Sequence, residues 1–236
     1  MITVALIGPD GAGKTTVGRR LEQTLPVPCR YIYMGVNLEA SHCLLPTSRL
    51  IRTLRRRRGV RDEGGPRDPD RTAPPPRDLI RRTMRSLKRA VSVTHRMADE
   101  WYRQLVAQRL RRRGCVVVFD RHYFSDYYAY DIETTGRPRP LSSRLHGWML
   151  RRVYPRPDLV ICLDAPGDVL HARKGEGTPE LLERRRQDYL ALAPLVERFV
   201  IVDAARSADE VARDVAEHVL DFYQHRLPSR GGMKVR

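Results

Sequence analysis

The chain begins with an apolar run, Ile2-Thr3-Val4-Ala5-Leu6-Ile7, whose length and composition predict a buried strand over 2–7. A glycine-rich turn follows, and Lys14 to Leu25 then places apolar residues at helical spacing. Pro26 and Pro28 end that helix, because proline lacks the N–H that a helix interior needs. Cys29 to Met34 predicts a second strand. Cys115-Val116-Val117-Val118-Phe119 is uninterrupted and β-branched, the pattern of a strand covered on both faces. Leu159 to Leu163 and Phe199 to Val202 repeat it, and these three runs end at Asp120, Asp164 and Asp203. Ile80, Met84, Leu87, Val91, Ala98, Trp101 and Leu105 recur at threes, fours and one seven, which predicts a long amphipathic helix from Asp78 to about Arg113. Arg81, Arg82, Arg85, Lys88, Arg89 and Arg96 occupy its other faces, and Gly114 supplies a stop. Ser207-Ala208-Asp209-Glu210 is a capping box that opens a last helix to about His225. Strands alternating with helices predict an α/β fold, a three-layer sandwich on a parallel five-stranded sheet, with its site at the C-terminal strand ends.

The pattern fails between Arg52 and Arg77. Arg55-Arg56-Arg57-Arg58, Gly64-Gly65 and Pro74-Pro75-Pro76 leave little to bury, which predicts a flexible Arg/Pro-rich insertion within 38–78. It reads as a solvated loop ahead of an arginine-rich arm for a polyanion. The 236 residues suit a single domain over 1–228, with a fraying tail over 229–236. The net charge is +16, and lysine stands only at 14, 88, 174 and 234, so 40 of the 44 basic residues are arginine. That charge favours polyanions; a phosphate substrate is expected ahead of nucleic acid or a membrane surface. Four scattered cysteines without a CxxC pair, no membrane-spanning run and no leader pattern predict a cytoplasmic protein without disulfides or zinc.

The glycine-rich turn carries the first chemistry. Gly8-Pro9-Asp10-Gly11-Ala12-Gly13-Lys14-Thr15-Thr16 satisfies Gly-x4-Gly-Lys-Thr, follows a strand and opens a helix. Gly8, Gly11, Ala12, Gly13, Lys14, Thr15 and Thr16 form the expected ATP-binding set. Main-chain N–H groups wrap the β-phosphate where no Cβ intrudes, and the helix adds its N-terminal dipole. Lys14 sets a cation on the β- and γ-phosphates, and the Thr15 hydroxyl ligates Mg²⁺. The expected architecture is therefore a P-loop NTPase.

Further segments extend this reading. Phe119-Asp120-Arg121-His122-x-x-Ser125 closes the third strand, and Arg156-Pro157-Asp158 leads through Leu163-Asp164-Ala165-Pro166 to Arg173-Lys174. Leu182-Glu183-Arg184-Arg185-Arg186-Gln187-Asp188-Tyr189-Leu190 gathers arginines on one helix, and Val202-Asp203-Ala204 precedes the capping box. With the loop, these segments resemble the thymidylate kinase-like members of the nucleoside monophosphate kinases over residues 2–34 and roughly 80–225. The resemblance implies an ATP- and Mg²⁺-dependent kinase with a lid over 170–190. It implies that Asp120 holds Mg²⁺ through water, that Arg121 clamps the acceptor phosphate, and that Asp10 orients an acceptor group or metal-bound water. Arg173, Arg184 and Arg185 are the candidates to close over the γ-phosphate; of Arg184 to Arg186 only one or two can face the site. Asp164 is either part of that site or a cap on the following turn.

The acceptor half departs from the resemblance. Met34-Gly35-Val36-Asn37 stands where thymidylate kinases carry Arg-Glu-Pro-Gly, and Glu100 follows Ala98-Asp99 where they carry arginine. The insertion falls beside the same pocket, and Ala129-Tyr130 stands one residue late. Trp101, Tyr102, Tyr123, Tyr127, Tyr128 and Tyr130 are candidates to stack on a base, with Trp101 and Tyr127 expected to pack instead. His122 is open between an acceptor contact and a structural role. The leading reading is a kinase for a nucleoside monophosphate or related phosphorylated small molecule. The alternatives are a kinase for a sugar, metabolite or polyphosphate, and an NTP-responsive binding protein with an arginine-rich arm. The apolar stripe over 80–105 exceeds what one sheet face needs, so a homodimer is expected.

Overall fold

Alternation inside the apolar runs sets the architecture. Val4, Leu6, Val116, Val118, Ile161 and Leu163 enter one core, and Ala5, Ile7, Val117, Phe119, Val160 and Cys162 enter a second. A sheet buried on both faces needs a helical layer on each. The computed structural model describes residues 1–35, 43, 45–57, 79–122, 148–149 and 152–226. Its strands are β1 (Thr3–Ile7), β2 (Cys29–Tyr33), β3 (Val116–Asp120), β4 (Leu159–Asp164) and β5 (Phe199–Asp203). Its helices are α1 (Lys14–Thr24), α2 (Pro46–Arg57), α3 (Leu79–Arg112), α4 (Gly167–Lys174), α5 (Pro179–Leu190) and α6 (Ala208–Arg226).

The strands are parallel in the order β2-β3-β1-β4-β5. Val17 and Leu21 of α1, with Val211, Val215 and Val219 of α6, fill the first core. Ala107 of α3 fills the second, with Trp101, Val106 and Leu110 packed against it. The result is the expected three-layer α/β sandwich. Because β1 lies between β3 and β4, the turn that leaves β1 opens where the strand order reverses, the place where such sheets bind ligands.

Local chemistry sets the ends of the elements. The capping box closes reciprocally: Ser207 N donates to Glu210 Oε2 at 3.1 Å, and Glu210 N donates to Ser207 Oγ at 3.4 Å. Gly114 ends α3 with a φ of 88°, and Cys115 falls just before β3, half-buried. Burial pushes the thiols of Cys29 and Cys162 up to about 12, so both act as small apolar side chains. No described helix is long and apolar enough to cross a membrane.

One expectation is corrected. Residues 46–57, inside the insertion expected to be flexible over 38–78, form helix α2. The helix begins at Pro46, which suits a first turn, and arginine is a good helix former. Its start is tied to α3, since Leu45 N and Ser48 Oγ each donate to Asp99 Oδ1 at 3.1 Å. That anchor, distant in sequence, is what the composition of the segment could not show. Residues 38–42, 44 and 58–78 of the expected insertion and the tail over 229–236 lie outside the described residues.

The Pro-Asp pair ahead of β4 has a structural use. Asp158 Oδ2 accepts from Thr3 N and Thr3 Oγ1, both at 2.8 Å, and Asp158 N donates to Thr3 Oγ1 at 3.0 Å. Arg226 of α6 reaches Asp158 Oδ1 at 2.5 Å, closing the lower end of the sheet. Asp158→Ala should lower the unfolding free energy by about 2–3 kcal/mol in urea denaturation, because it strands two donors as well as removing a charge. Arg226→Ala, at an exposed position, should cost about 0–1 kcal/mol.

Candidate active site

The phosphate loop is held in shape by the strand and helix beside it. A Cβ on Gly8 would fall 2.5 Å from the carbonyl oxygen of Leu163 on β4, and one on Gly11 would fall 2.7 Å from that of Leu170 on α4. Both glycines have positive φ, 136° and 93°, so close approach and backbone conformation each exclude a side chain. Gly13 caps α1 in the left-handed region without a side-chain hydrogen bond, and no acidic residue stands in the first turn. Main-chain N–H groups at this helix start are thereby left for an anion. Ala12 is buried with its N–H on Pro9 O at 3.3 Å, while Thr16 is exposed on the first turn. Lys14 folds back over the loop and donates to Gly8 O and Pro9 O, each at 2.7 Å.

Asp120 ends β3 directly beside this loop and is fully buried. Its Oδ2 accepts from the Thr15 hydroxyl at 2.5 Å and from the Tyr31 hydroxyl at 2.6 Å. Its Oδ1 is buried without a hydrogen-bond partner. A buried carboxylate oxygen left bare beside a threonine hydroxyl is an unusual expense, and it suits a hydrated cation. Mg²⁺ characteristically takes one or two protein oxygens and completes its shell with waters and substrate phosphates. Thr15 and Asp120 therefore fit the metal that the sequence assigned to them.

A charged cluster stands on the other side of the loop. Arg121 takes a φ of 62°, the left-handed region that a long side chain rarely adopts, and its N–H donates to Leu6 O at 3.1 Å. Its guanidinium pairs with Asp10 Oδ1. Arg185 of α5 approaches Asp10 Oδ2 at 3.6 Å. Burial pushes the Asp10 carboxyl up, but Arg121, Lys14, Lys174 and Arg185 together outweigh it and hold the group below its ordinary range.

The three consecutive arginines of α5 divide as a 100° step per residue requires. Arg185 is buried towards Asp10, and Arg184 is exposed. Arg186 is a strut: its Nε and Nη2 meet Asp164 Oδ1 and Oδ2 at 2.6 and 2.9 Å, and its Nη1 meets Glu183 Oε1 at 2.9 Å. Asp164 thus anchors α5. Arg173 of α4 donates to the carbonyls of Ala204, Ala205 and Arg206 at 2.7, 3.0 and 3.2 Å, on the loop after β5. Of the arginines expected over the phosphates, the structure brings Arg121 and Arg185 to the loop, turns Arg184 outward and commits Arg173 to that neighbouring loop.

No protein-family model matches the sequence. Among solved structures, a thymidylate kinase from Candida albicans aligns over 95% of this chain and 93% of its own, with a TM-score of 0.61 and 16% sequence identity. The chain has a thymidylate kinase fold.

Within that fold, several residues of the segments that depart from the thymidylate kinase pattern have local structural uses. Arg103 is buried, pairs with Asp99 and donates to Gly35 O at 3.1 Å, so it fastens α3 to the chain leaving β2. Trp101 packs edge-on to Tyr154 at 5.7 Å and donates to Met149 Sδ at 3.1 Å, the core role expected of it. His122 is buried between Phe119 and Tyr154, and burial lowers its pKa to about 3, so the ring is a neutral packing group. Tyr102 is half-buried. Tyr123, Ser125, Tyr127, Tyr128 and Tyr130 lie outside the described residues.

Tyr31 is the site residue that sequence reasoning passed over. The signal was there in Gly18, an unexplained helix-interior glycine on α1: a Cβ there would lie 2.7 Å from the Tyr31 ring. Only glycine lets that ring slide under α1 and bring its hydroxyl to Asp120.

The Asp10 cluster yields a pH test. Folding favours its ionised form, so it adds stability above about pH 4 that is lost as pH falls through the lowered value. Asp10→Asn should therefore flatten the acid limb: its melting-temperature deficit against the wild type should shrink between about pH 5 and pH 2. A deficit constant across that window contradicts the assignment.

Proposed function

We propose that the chain is an ATP- and Mg²⁺-dependent phosphotransferase that moves the γ-phosphoryl group to a phosphorylated small molecule, in the manner of a nucleoside monophosphate kinase. The observation that carries this reading is the bare, buried Oδ1 of Asp120 beside Thr15 at the mouth of a glycine-cleared phosphate loop. A loop serving only as a structural turn has no need for that combination.

Phosphoryl transfer depends on positioning and on neutralising charge. Bound Mg²⁺ would supply charge neutralisation at the β- and γ-phosphates, held by Thr15 and, through water, by Asp120. Lys14, now on loop carbonyls, turns to the phosphates; Gly8, Gly11, Ala12, Gly13 and Thr16 supply main-chain or hydroxyl donors. Arg121 and Arg185 exchange part of their attraction for Asp10 for the acceptor and transferring phosphates, and Arg185 arrives with the lid helix that Arg186 and Asp164 brace. Asp10 keeps the two guanidiniums apart and aimed at the loop. An acceptor phosphate oxygen is already nucleophilic and needs no strong base. Arg173 shapes the loop after β5, where an adenine would rest.

The acceptor itself has a second reading, a non-nucleotide phosphate such as a sugar or metabolite phosphate. It is favoured by Arg103, which is committed to Asp99 and to the carbonyl of Gly35. We extend the proposal to a homodimer, because Met84, Leu87, Val91 and Leu105 of α3 are all more than half exposed.

A coupled ADP-release assay over nucleoside monophosphates, sugar phosphates and polyphosphate, run with ATP and Mg²⁺, tests the proposal. At least one phosphorylated acceptor should stimulate turnover, and Lys14→Ala should reduce it by about 100-fold or more. No turnover with any acceptor, together with no ATP binding, would sink it.

A further inference from the structure

A second site opens at the other end of the sheet. The phosphate loop leaves the C-terminal end of β1, whereas a cleft of about 80 Å³ lies at its beginning, between α3, Thr3 and Pro155-Arg156. Gln104 lines this cleft, is 8% exposed, and carries an Nε2 that is buried without a hydrogen-bond partner. Buried amide donors are satisfied in nearly all folded chains, so an orphan at a cleft points to a missing acceptor. Gln104, Gln108 and Arg111 stand at i, i+4 and i+7 of α3, on one face of the helix. Arg111 is half-buried and makes no hydrogen bond or ion pair with the described residues, and Arg156 lines the same cleft. Among the described residues no carboxylate lines it; the walls are completed by Trp101, Phe119 and neighbouring apolar groups.

An orphaned amide donor on the same helix face as the cationic Arg111 selects an anion. A water occupies at least about 10–15 Å³ on such a measure, so the cleft suits a group of a few heavy atoms rather than a nucleotide. We infer that this cleft is a second anion site, which takes a small tetrahedral oxyanion of the phosphate class on Gln104 and Arg111, independently of the phosphate loop. The strongly basic chain raises the local concentration of such anions, and the apolar walls strengthen the charged contacts.

Trp101 in the wall provides the readout. The chain has two tryptophans, so Trp148→Phe leaves Trp101 as the sole indole. In that background, full-length protein is titrated with inorganic phosphate at constant ionic strength, with chloride as control and glycerol phosphate as a bulkier phosphate source. Phosphate should give a saturable change in Trp101 emission that chloride does not, and Lys14→Ala should leave it intact. Gln104→Leu and Arg111→Ala should each weaken it by about tenfold or more, and glycerol phosphate should bind more weakly than phosphate. Thermal melts establish that both variants fold, and Arg111→Ala, at a partly exposed position, keeps the test open should Gln104→Leu fail. A non-saturating or chloride-like response overturns the inference. So does loss of the response in Lys14→Ala, or unchanged affinity in a folded Gln104→Leu or Arg111→Ala.

Discussion

A carboxylate sealed from solvent at the end of β3 is the constraint on which the rest of this molecule turns. Burying Asp120 is costly unless its oxygens are met, and the surrounding sequence is arranged to meet one of them, Oδ2. Thr15 reaches Oδ2 because α1 begins immediately after the phosphate loop; Tyr31 reaches it because Gly18 removes the side chain that would block its ring. Oδ1 stays buried without a hydrogen-bond partner. The loop is fixed from the opposite side by the carbonyls of Leu163 and Leu170, which tolerate nothing larger than hydrogen at Gly8 and Gly11.

Charge is organised around that fixed point by dividing the arginines. In so basic a chain, most guanidiniums cannot serve one site, and the helix geometry of α5 sorts them: Arg185 inward to Asp10, Arg186 onto Asp164, Arg184 to solvent. Asp10 holds Arg121 and Arg185 within one cluster while its own charge keeps them from repelling each other out of it. The left-handed backbone at Arg121 is the strained element that makes the first of those contacts, and strain of this kind concentrates at functional sites.

The donor side was legible because it is local. Strand, glycine turn, lysine and helix follow one another within residues 3–24, and their spacing points to phosphate binding. The sheet was legible for the same reason, since β3, β4 and β5 are short apolar runs that each end in an aspartate. What escaped depends on pairings across long sequence separations. Tyr31 meets Asp120 across 89 residues, and Ser48 meets Asp99 across 51. Composition alone made residues 52–57 look structureless, yet an anchored helix start carries α2 through them. The family resemblance predicted a common purpose for Arg173 and Arg185; the three-dimensional placement sets Arg173 on the loop after β5 and Arg185 beside Asp10.

Calorimetric titration with a non-hydrolysable ATP analogue, with and without Mg²⁺, tests the central claim most directly. If Asp120 and Thr15 form the metal-assisted donor site, Mg²⁺ should tighten binding to the wild type by about tenfold or more. Asp120→Asn should retain the Mg²⁺-independent binding and lose that gain. An equal Mg²⁺ effect in folded Asp120→Asn, or no nucleotide binding by the wild type, would contradict the account.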